Sequence, residues 1–370
     1  MRRPPKIVDL FAGPGGLDVA ARWLDVPAVG IELDKSACET RDAEKLETRH
    51  DDVRNFKPSD FSDATILAGG PPCQTYTVAG SGAGRRALDD VLDFAERMAL
   101  RLDVAADLEK LAADHDGDDR TGLVLEPLKW ALQAIDDDNP YDAIVLEQVP
   151  AVLPVWQAMK TILEKEGYSA ACGVLHAEEF GVPQTRRRAV LIARREGEAL
   201  LPEPTHRRYR KNVSREEGAK ELLPWVAMED VLHRSEPFVV VSNYGTGGDP
   251  RNRGQRTSAE PAFTVTGKIS RNRVEMPDGH PANPPRFTVK ESGQLQTFPA
   301  DYRWRGRDVS QQIGNAIPPR LAAYILVAAL GLGKESLCKI FPDLELPVGG
   351  SVDHVRLKAD ACRISGTSSI

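Results

Sequence analysis

The sequence predicts an α/β fold, a parallel sheet with helices on both faces followed by a smaller loop-rich domain. Three observations predict it. Short runs rich in Ile, Val and Leu ("KIVDLF", "AVGIEL", "ATILAGG", "AIVLEQV") alternate with helical patterns and end in Gly or acidic residues. Fully apolar runs of this kind fit strands buried on both faces, as parallel sheets require. After Arg194 both periods fade into stretches dense in Gly, Pro and Asn, such as "SNYGTGGDPRNRGQR" and "MPDGHPANPPRF".

The first strand runs into "VDLFAGPGGLD" (8–18), a strand, a glycine-rich turn and a helix start. Such a turn lets the backbone close around a ligand beside a helix N-terminus. Glu32 ends the second strand about twenty residues on, where a carboxylate can accept ribose hydroxyls. Taken alone this suits NAD or S-adenosylmethionine equally. "GPGG" is not GxGxxG, which shifts weight towards S-adenosylmethionine, a cofactor without a pyrophosphate. The third run ends in "GGPPCQTYTVAG" (69–80), where glycines and prolines make a stiff loop that displays Cys73.

From Ala87 to Ala113 apolar residues recur at helical spacing: Leu88, Val91, Ala95, Met98, Leu102, Ala105, Leu108 and Leu111. One or two amphipathic helices on the surface are expected. "DHDGDD" (114–119) lacks the length and closing Glu of a calcium loop and is expected to be a solvated turn. "RRAVLIAR" is expected to be a later strand of the same sheet. "PPRLAAYILVAALGLG" predicts a helix with proline at its start and glycine at its stop. Ligands of such sheets bind at the carboxyl ends of strands, and Asp9, Glu32, Cys73 and Glu147 all fall there.

With 41% hydrophobic and 28% charged residues, the 370-residue chain has a soluble globular composition. No apolar run approaches the ~20 residues of a membrane span, and the start lacks a signal-like stretch, so a cytoplasmic protein is expected. Five scattered cysteines without a CxxC pair indicate neither a zinc site nor a disulfide framework. The net charge of −7 argues against a nucleic-acid partner until its distribution is read. Residues 184–307 carry 23 Lys and Arg against 15 Asp and Glu, clustered in "RRR", "HRRYRK", "RNRGQR" and "RWRGR". Such clusters suit phosphate contacts.

Six segments then stand in one order: "DLFAGPGGLD", "GGPPCQ", "LEQVP", "QTRRR", "RFTVKESGQLQTFPADY" and "QQIGNAIPPRLA". This series resembles the DNA cytosine-5 methyltransferases, bacterial or phage type, from about residue 7 to 330. The resemblance implies a Rossmann-like sheet using S-adenosylmethionine, with a catalytic and cofactor domain at 1–194 and its helical insertion at about 87–118. A target-recognition domain at 195–308 and a return of the chain at 309–345 complete it, and the polar composition of 346–370 separately predicts a mobile tail. Cys73 would add covalently to carbon 6 of a flipped-out cytosine. Glu147 would hydrogen-bond ring nitrogen 3 and the amine, and Arg188 and Arg186, alternating on one strand face, would hold the base's carbonyl, a phosphate or the catalytic loop. The family has Asn where Gln148 stands.

For the cofactor, the resemblance implies Phe11, Gly13 and Gly15 around methionine and ribose, Glu32 on the ribose, and Asp52 on the adenine amine with Val53 against the ring. Asp51 remains an alternative to Asp52. Pro72 and Asn315 would line the methionine end and Leu123 would cover the adenine. Gln74, Arg85, Arg86, Arg251, Arg253, Arg256, Arg271 and Arg273 are expected DNA contacts. No metal is expected. Double-stranded DNA is the expected partner, with a companion restriction endonuclease and a monomeric state as further expectations. A same-fold enzyme acting on tRNA and a catalytically silent DNA-binding protein are the alternatives.

Overall fold

Seven strands form the main sheet: β1 (Ile7–Leu10), β2 (Ala28–Glu32), β3 (Glu47–His50), β4 (Ile66–Gly69), β5 (Ala143–Gln148), β6 (Ser169–His176) and β7 (Arg187–Arg194). Their spatial order is β3-β2-β1-β4-β5-β7-β6. The computed structural model describes residues 3–72, 82–114, 119–243 and 253–345. The first five strands pair in parallel, β1 lying between β2 and β4 with Ile7 opposite Ala28 and Ile66.

The expectation of a parallel sheet needs one correction. β7 runs antiparallel to both β5 and β6. The reversal has a chemical consequence. A parallel β7 would put its first residues at the edge opposite the strand ends that carry Glu32 and Glu147. Reversed, its start lies at that same edge, and Gln148 stands opposite Ala189. The sheet is therefore mixed, and the start of β7 shares an edge with the ends of β2 and β5.

Helices α1 (Gly16–Trp23), α2 (Lys35–Ala43), α3 (Gly82–Ala99), α4 (Ala105–Asp114), α5 (Glu126–Asp136) and α6 (Leu153–Lys165) belong to the first half. Later come α7 (Met228–Val231), α8 (Val289–Leu295), α9 (Val309–Asn315), α10 (Pro319–Leu330) and α11 (Lys334–Ile340). One sheet face packs Val91, Leu128, Trp130, Trp156 and Met159 from α3, α5 and α6. The other packs Ala20 and Ala21 of α1 against Leu321 to Val327 of α10. Each large side chain so buried contributes roughly 1.5–3 kcal/mol. The apolar stretch Val309–Leu330, long enough to cross a membrane, is largely buried in this core.

The predicted helical stripe of 87–113 breaks in two. Between α3 and α4 the chain turns through Arg101 at φ 59, leaving Leu100 and Leu102 exposed. Arg101 is anchored by Asp136 of α5 at 2.8 Å and Glu166 beyond α6 at 2.7 Å. The predicted turn at 114–119 falls almost wholly outside the described residues.

The basic, loop-rich stretch forms a small antiparallel sheet of β8 (Val239–Val241), β9 (Gln255–Thr257) and β10 (Arg273–Glu275), ordered β10-β8-β9. Its own apolar cluster includes Phe238, Val240, Val265 and Val274, and reaches Leu295 and Ile313 from α8 and α9. Buried amides join this region to the main sheet. Gln184 donates to the Leu295 carbonyl and to Gln296 Oε1, both at 2.8 Å, and accepts from the Val265 N–H at 2.9 Å.

Candidate active site

A cavity of about 790 Å³ opens at the carboxyl ends of β1, β2, β4 and β5. Phe11, Gly13, Glu32, Asp52, Val53, Pro72, Leu123 and Asn315 line it, together with Glu147 and Arg188. A sequence pattern spread over three hundred residues thus meets in one hollow.

The glycine turn starts it. Phe11 sits in the left-handed region at φ 62, a conformation costly for a bulky residue and typical of sites that hold a ligand. The N–H of Gly13 donates to Glu32 Oε2 and that of Asp34 to Oε1, both at 2.7 Å. These bonds aim the carboxylate while leaving acceptor sites for hydroxyls. Burial nevertheless raises the Glu32 pKa.

Gly15 stands between cavity-lining Pro14 and Gly16. It caps α1 at φ 100, and a Cβ there would stand 2.2 Å from Leu46 Cδ1. A side chain there is excluded by the turn. Beneath it the fully buried Arg41 pairs with Asp18 through two 2.8 Å bonds. The guanidinium fits only because Gly30 has no side chain, since a Cβ would lie 2.1 Å from Arg41 Nη2. Asp9, at the end of β1, is buried at the cavity wall, and burial followed by the charge of Asp18 pushes its carboxyl well up.

At the floor, Glu147 near the end of β5 meets Arg188 at the start of β7, Oε1 to Nε at 2.6 Å, each side chain 12% exposed. Gln148 donates to the Pro71 carbonyl at 2.6 Å and accepts from the Val149 N–H at 2.5 Å. It thereby fastens the end of β5 to the proline pair ahead of Cys73. Cys73 and Gln74 lie outside the described residues, as do Arg251 and the side chains of Arg85 and Arg86.

Arg186 departs from expectation. It is fully buried and donates to the carbonyls of Val265 at 2.8 Å and of Gly314 and Ala316 at 3.0 Å each. Burial, then the neighbouring Arg188 charge, lowers its pKa well below the usual arginine range. The guanidinium is committed to backbone, so it positions the Gly314–Ala316 wall and the Val265 segment rather than a base. Alternation on the strand indicated a shared direction; it could not indicate what fills the space ahead.

Among the expected DNA contacts, Arg256 is corrected likewise. Its guanidinium lies 4.2 Å from the Tyr209 ring centroid and 4.8 Å from that of Phe263, and donates to the Pro261 carbonyl at 2.7 Å. Arg273 is half-exposed and pairs with Glu275 at 3.1 Å. Arg271 is exposed and Arg253 partly so. The sequence reading did not single out Arg54, which grips Asp52, or Arg120, which lines the cavity beside Leu123. Arg54 stands two residues after an assigned carboxylate, a spacing that could have pointed to it.

The sheet order, the single reversed strand and a nucleoside-sized hollow at the strand ends define the α/β methyltransferase class. The model of the C-5 cytosine-specific DNA methylase family matches residues 5–94 and 131–330, and the chain belongs to that family. It is a DNA cytosine methyltransferase. It is 27% identical over 356 residues to the type II methyltransferase M1.HphI of Haemophilus parahaemolyticus, spanning 87% of this chain and 86% of that protein. It is 26% identical over 357 residues to M.Sau96I of Staphylococcus aureus, spanning 86% and 74%. The fold is similar to that of the S. pombe Dnmt2 methyltransferase, with TM-score 0.57, 15% identity and coverage of 89% and 98%. The Entamoeba histolytica methyltransferase EhMeth is also similar, with TM-score 0.53, 13% identity and coverage of 89% and 99%. Residues 95–130, which include Arg120 and Leu123, fall outside the family match.

Proposed function

We propose that the protein transfers a methyl group from S-adenosylmethionine to carbon 5 of a cytosine flipped out of double-stranded DNA, through a covalent bond from Cys73 to carbon 6. The observation that carries this reading is the Glu147–Arg188 pair at the floor of a cavity that Pro72 also lines. Cys73 follows Pro72 directly in the chain.

The chemistry needs those three groups together. Carbon 5 of cytosine is a poor nucleophile until the Cys73 thiolate adds at carbon 6 and breaks the ring's conjugation. Arg188 offers N–H donors to the base's carbonyl oxygen, while Glu147 faces ring nitrogen 3 and the amine. After methylation, loss of the carbon 5 proton and expulsion of the thiolate restore the ring. S-adenosylmethionine would supply an electrophilic methyl on sulfur. The lining residues fit its parts: Glu32 for the ribose hydroxyls, Val53 and Leu123 for the adenine, Asn315 and Pro72 for the methionine end.

The stretch 195–308 would read the DNA, with 309–345 returning to the catalytic half, and the enzyme would act in the cytoplasm as a monomer. Its relatives named type II methyltransferases motivate a companion endonuclease. Incubation with S-adenosylmethionine labelled in the methyl group, with duplex DNA and tRNA in parallel, tests the reading. Label is expected in DNA cytosine at carbon 5 and is lost with Cys73→Ser. Label confined to RNA would move the substrate to the tRNA branch, and none in either from folded protein would favour a silent DNA-binding protein.

A further inference from the structure

Asp52 and Arg54 form a unit at the cavity wall. Arg54 Nε donates to Asp52 Oδ1 at 3.0 Å, Nη2 to Oδ2 at 2.6 Å, and the Arg54 backbone N–H to Oδ1 at 2.9 Å. A carboxylate has about four acceptor sites. Among the described residues three are used, two on Oδ1 and one on Oδ2, which leaves an acceptor site on Oδ2. Arg54 also holds the Asp52 carboxyl below its usual range, chiefly through the side-chain hydrogen bond. The carboxylate is therefore an acceptor only, with one direction left to accept from.

The same short 3₁₀ turn, Val53–Asn55, puts the buried Val53 into the wall next to this acceptor. Asp51 is used differently. Its Oδ1 accepts from the Asp52 N–H at 2.7 Å and from Asn55 Nδ2 at 2.8 Å, which staples the turn. An apolar side chain for a ring face and a single ionised acceptor for a ring edge thus stand side by side.

We propose that Arg54 is a specificity-determining positioning residue for the purine of the nucleoside cofactor. It holds Asp52 so that the pocket accepts a ring with an exocyclic amino donor and rejects one with a carbonyl there. A carbonyl would set acceptor against acceptor beside a fixed negative charge, and the free lone pair would stay unmatched. The inference rests on the S-adenosylmethionine reading and adds to it the residue that enforces the choice of base.

Calorimetric titration of the full chain with S-adenosylhomocysteine and its deaminated counterpart, S-inosylhomocysteine, tests it. The ratio of the two dissociation constants is the quantity read, because a purely structural loss would weaken both ligands alike. The unaltered protein is expected to favour the adenosyl ligand at least about tenfold, as one hydrogen bond to a charged group implies. Arg54→Ala should bring the ratio below about threefold by weakening the adenosyl ligand. Arg54→Lys should recover only part, since an ammonium cannot make the two-pronged contact. Asp52→Asn, whose amide can donate to a carbonyl, should narrow or reverse the preference. An Arg54→Ala protein with an unchanged ratio, or with equal losses for both ligands, overturns the role of Arg54. Failure of the unaltered protein to bind either ligand overturns the cofactor reading, and this inference with it.

Discussion

Gln148 occupies a position where the resembling family carries Asn, and its longer side chain reaches from the end of β5 to the Pro71 carbonyl. Its carbonyl takes the Val149 N–H in the same gesture. Cutting the side chain would free the proline pair and cost about 0.5–1.5 kcal/mol per lost hydrogen bond. Gln148→Ala is therefore expected to lower kcat by roughly 3–10-fold with the cofactor KM nearly unmoved, and Gln148→Glu should fail to rescue because it lacks the donor. Steady-state methylation kinetics check this; a change confined to the cofactor KM would count against the tether. The identity of Glu147 and Arg188 was legible in their motifs. The 2.6 Å contact between them was not, because it depends on the direction in which β7 runs.

At the level of elements, strands that are apolar throughout announced themselves and the edge strands did not. β3 is "ETRH", polar and mostly exposed, and β6 is "SAACGVLH", dominated by small residues. Pairing with a neighbour makes them strands, and sequence pattern carries little of that information. The helix α10 was legible from its prolines and glycine, and it carries a cluster that periodicity could not reveal. Arg320 of α10 donates to Asp343 at 3.2 Å through Nη1, and the buried His206 ring stands 3.6 Å from the same carboxylate. Burial would raise the Asp343 pKa, but the His206 hydrogen bond and the Arg320 charge outweigh it and hold the carboxyl well below the usual range. Burial also lowers the His206 pKa. Both groups bind protons more readily when unfolded, so their contributions are present above the unfolded values, about 6.5 for His and 3.9 for Asp. They are lost as pH falls through the lower folded values. Urea denaturation from pH 7 down to pH 4 should show stability falling, and His206→Gln should flatten that slope. An unaltered slope would mean the histidine does not titrate with unfolding.

Across the whole molecule, the charge asymmetry of the sequence locates the basic region, and the small β8–β10 sheet lies within it. Charge did not disclose that some of these arginines are structural. Arg186 and Arg256 are both consumed by packing, the first on carbonyls of the cavity wall and the second between two rings. Arg186 bridges the Val265 carbonyl to those of Gly314 and Ala316, and Gln184 bonds Gln296, contacts that span 79 to 130 residues of chain. Such long-range polar joints have no local signature. The central claim, that this assembled hollow bonds a sulfur to a pyrimidine, is tested most directly by trapping. Duplex DNA carrying 5-fluorocytosine at the methylated site, incubated with S-adenosylmethionine, should yield a protein–DNA adduct that survives denaturation and is absent with Cys73→Ser. Methyl transfer to ordinary DNA that persists in the Cys73→Ser protein, with no adduct from the unaltered one, would contradict the account.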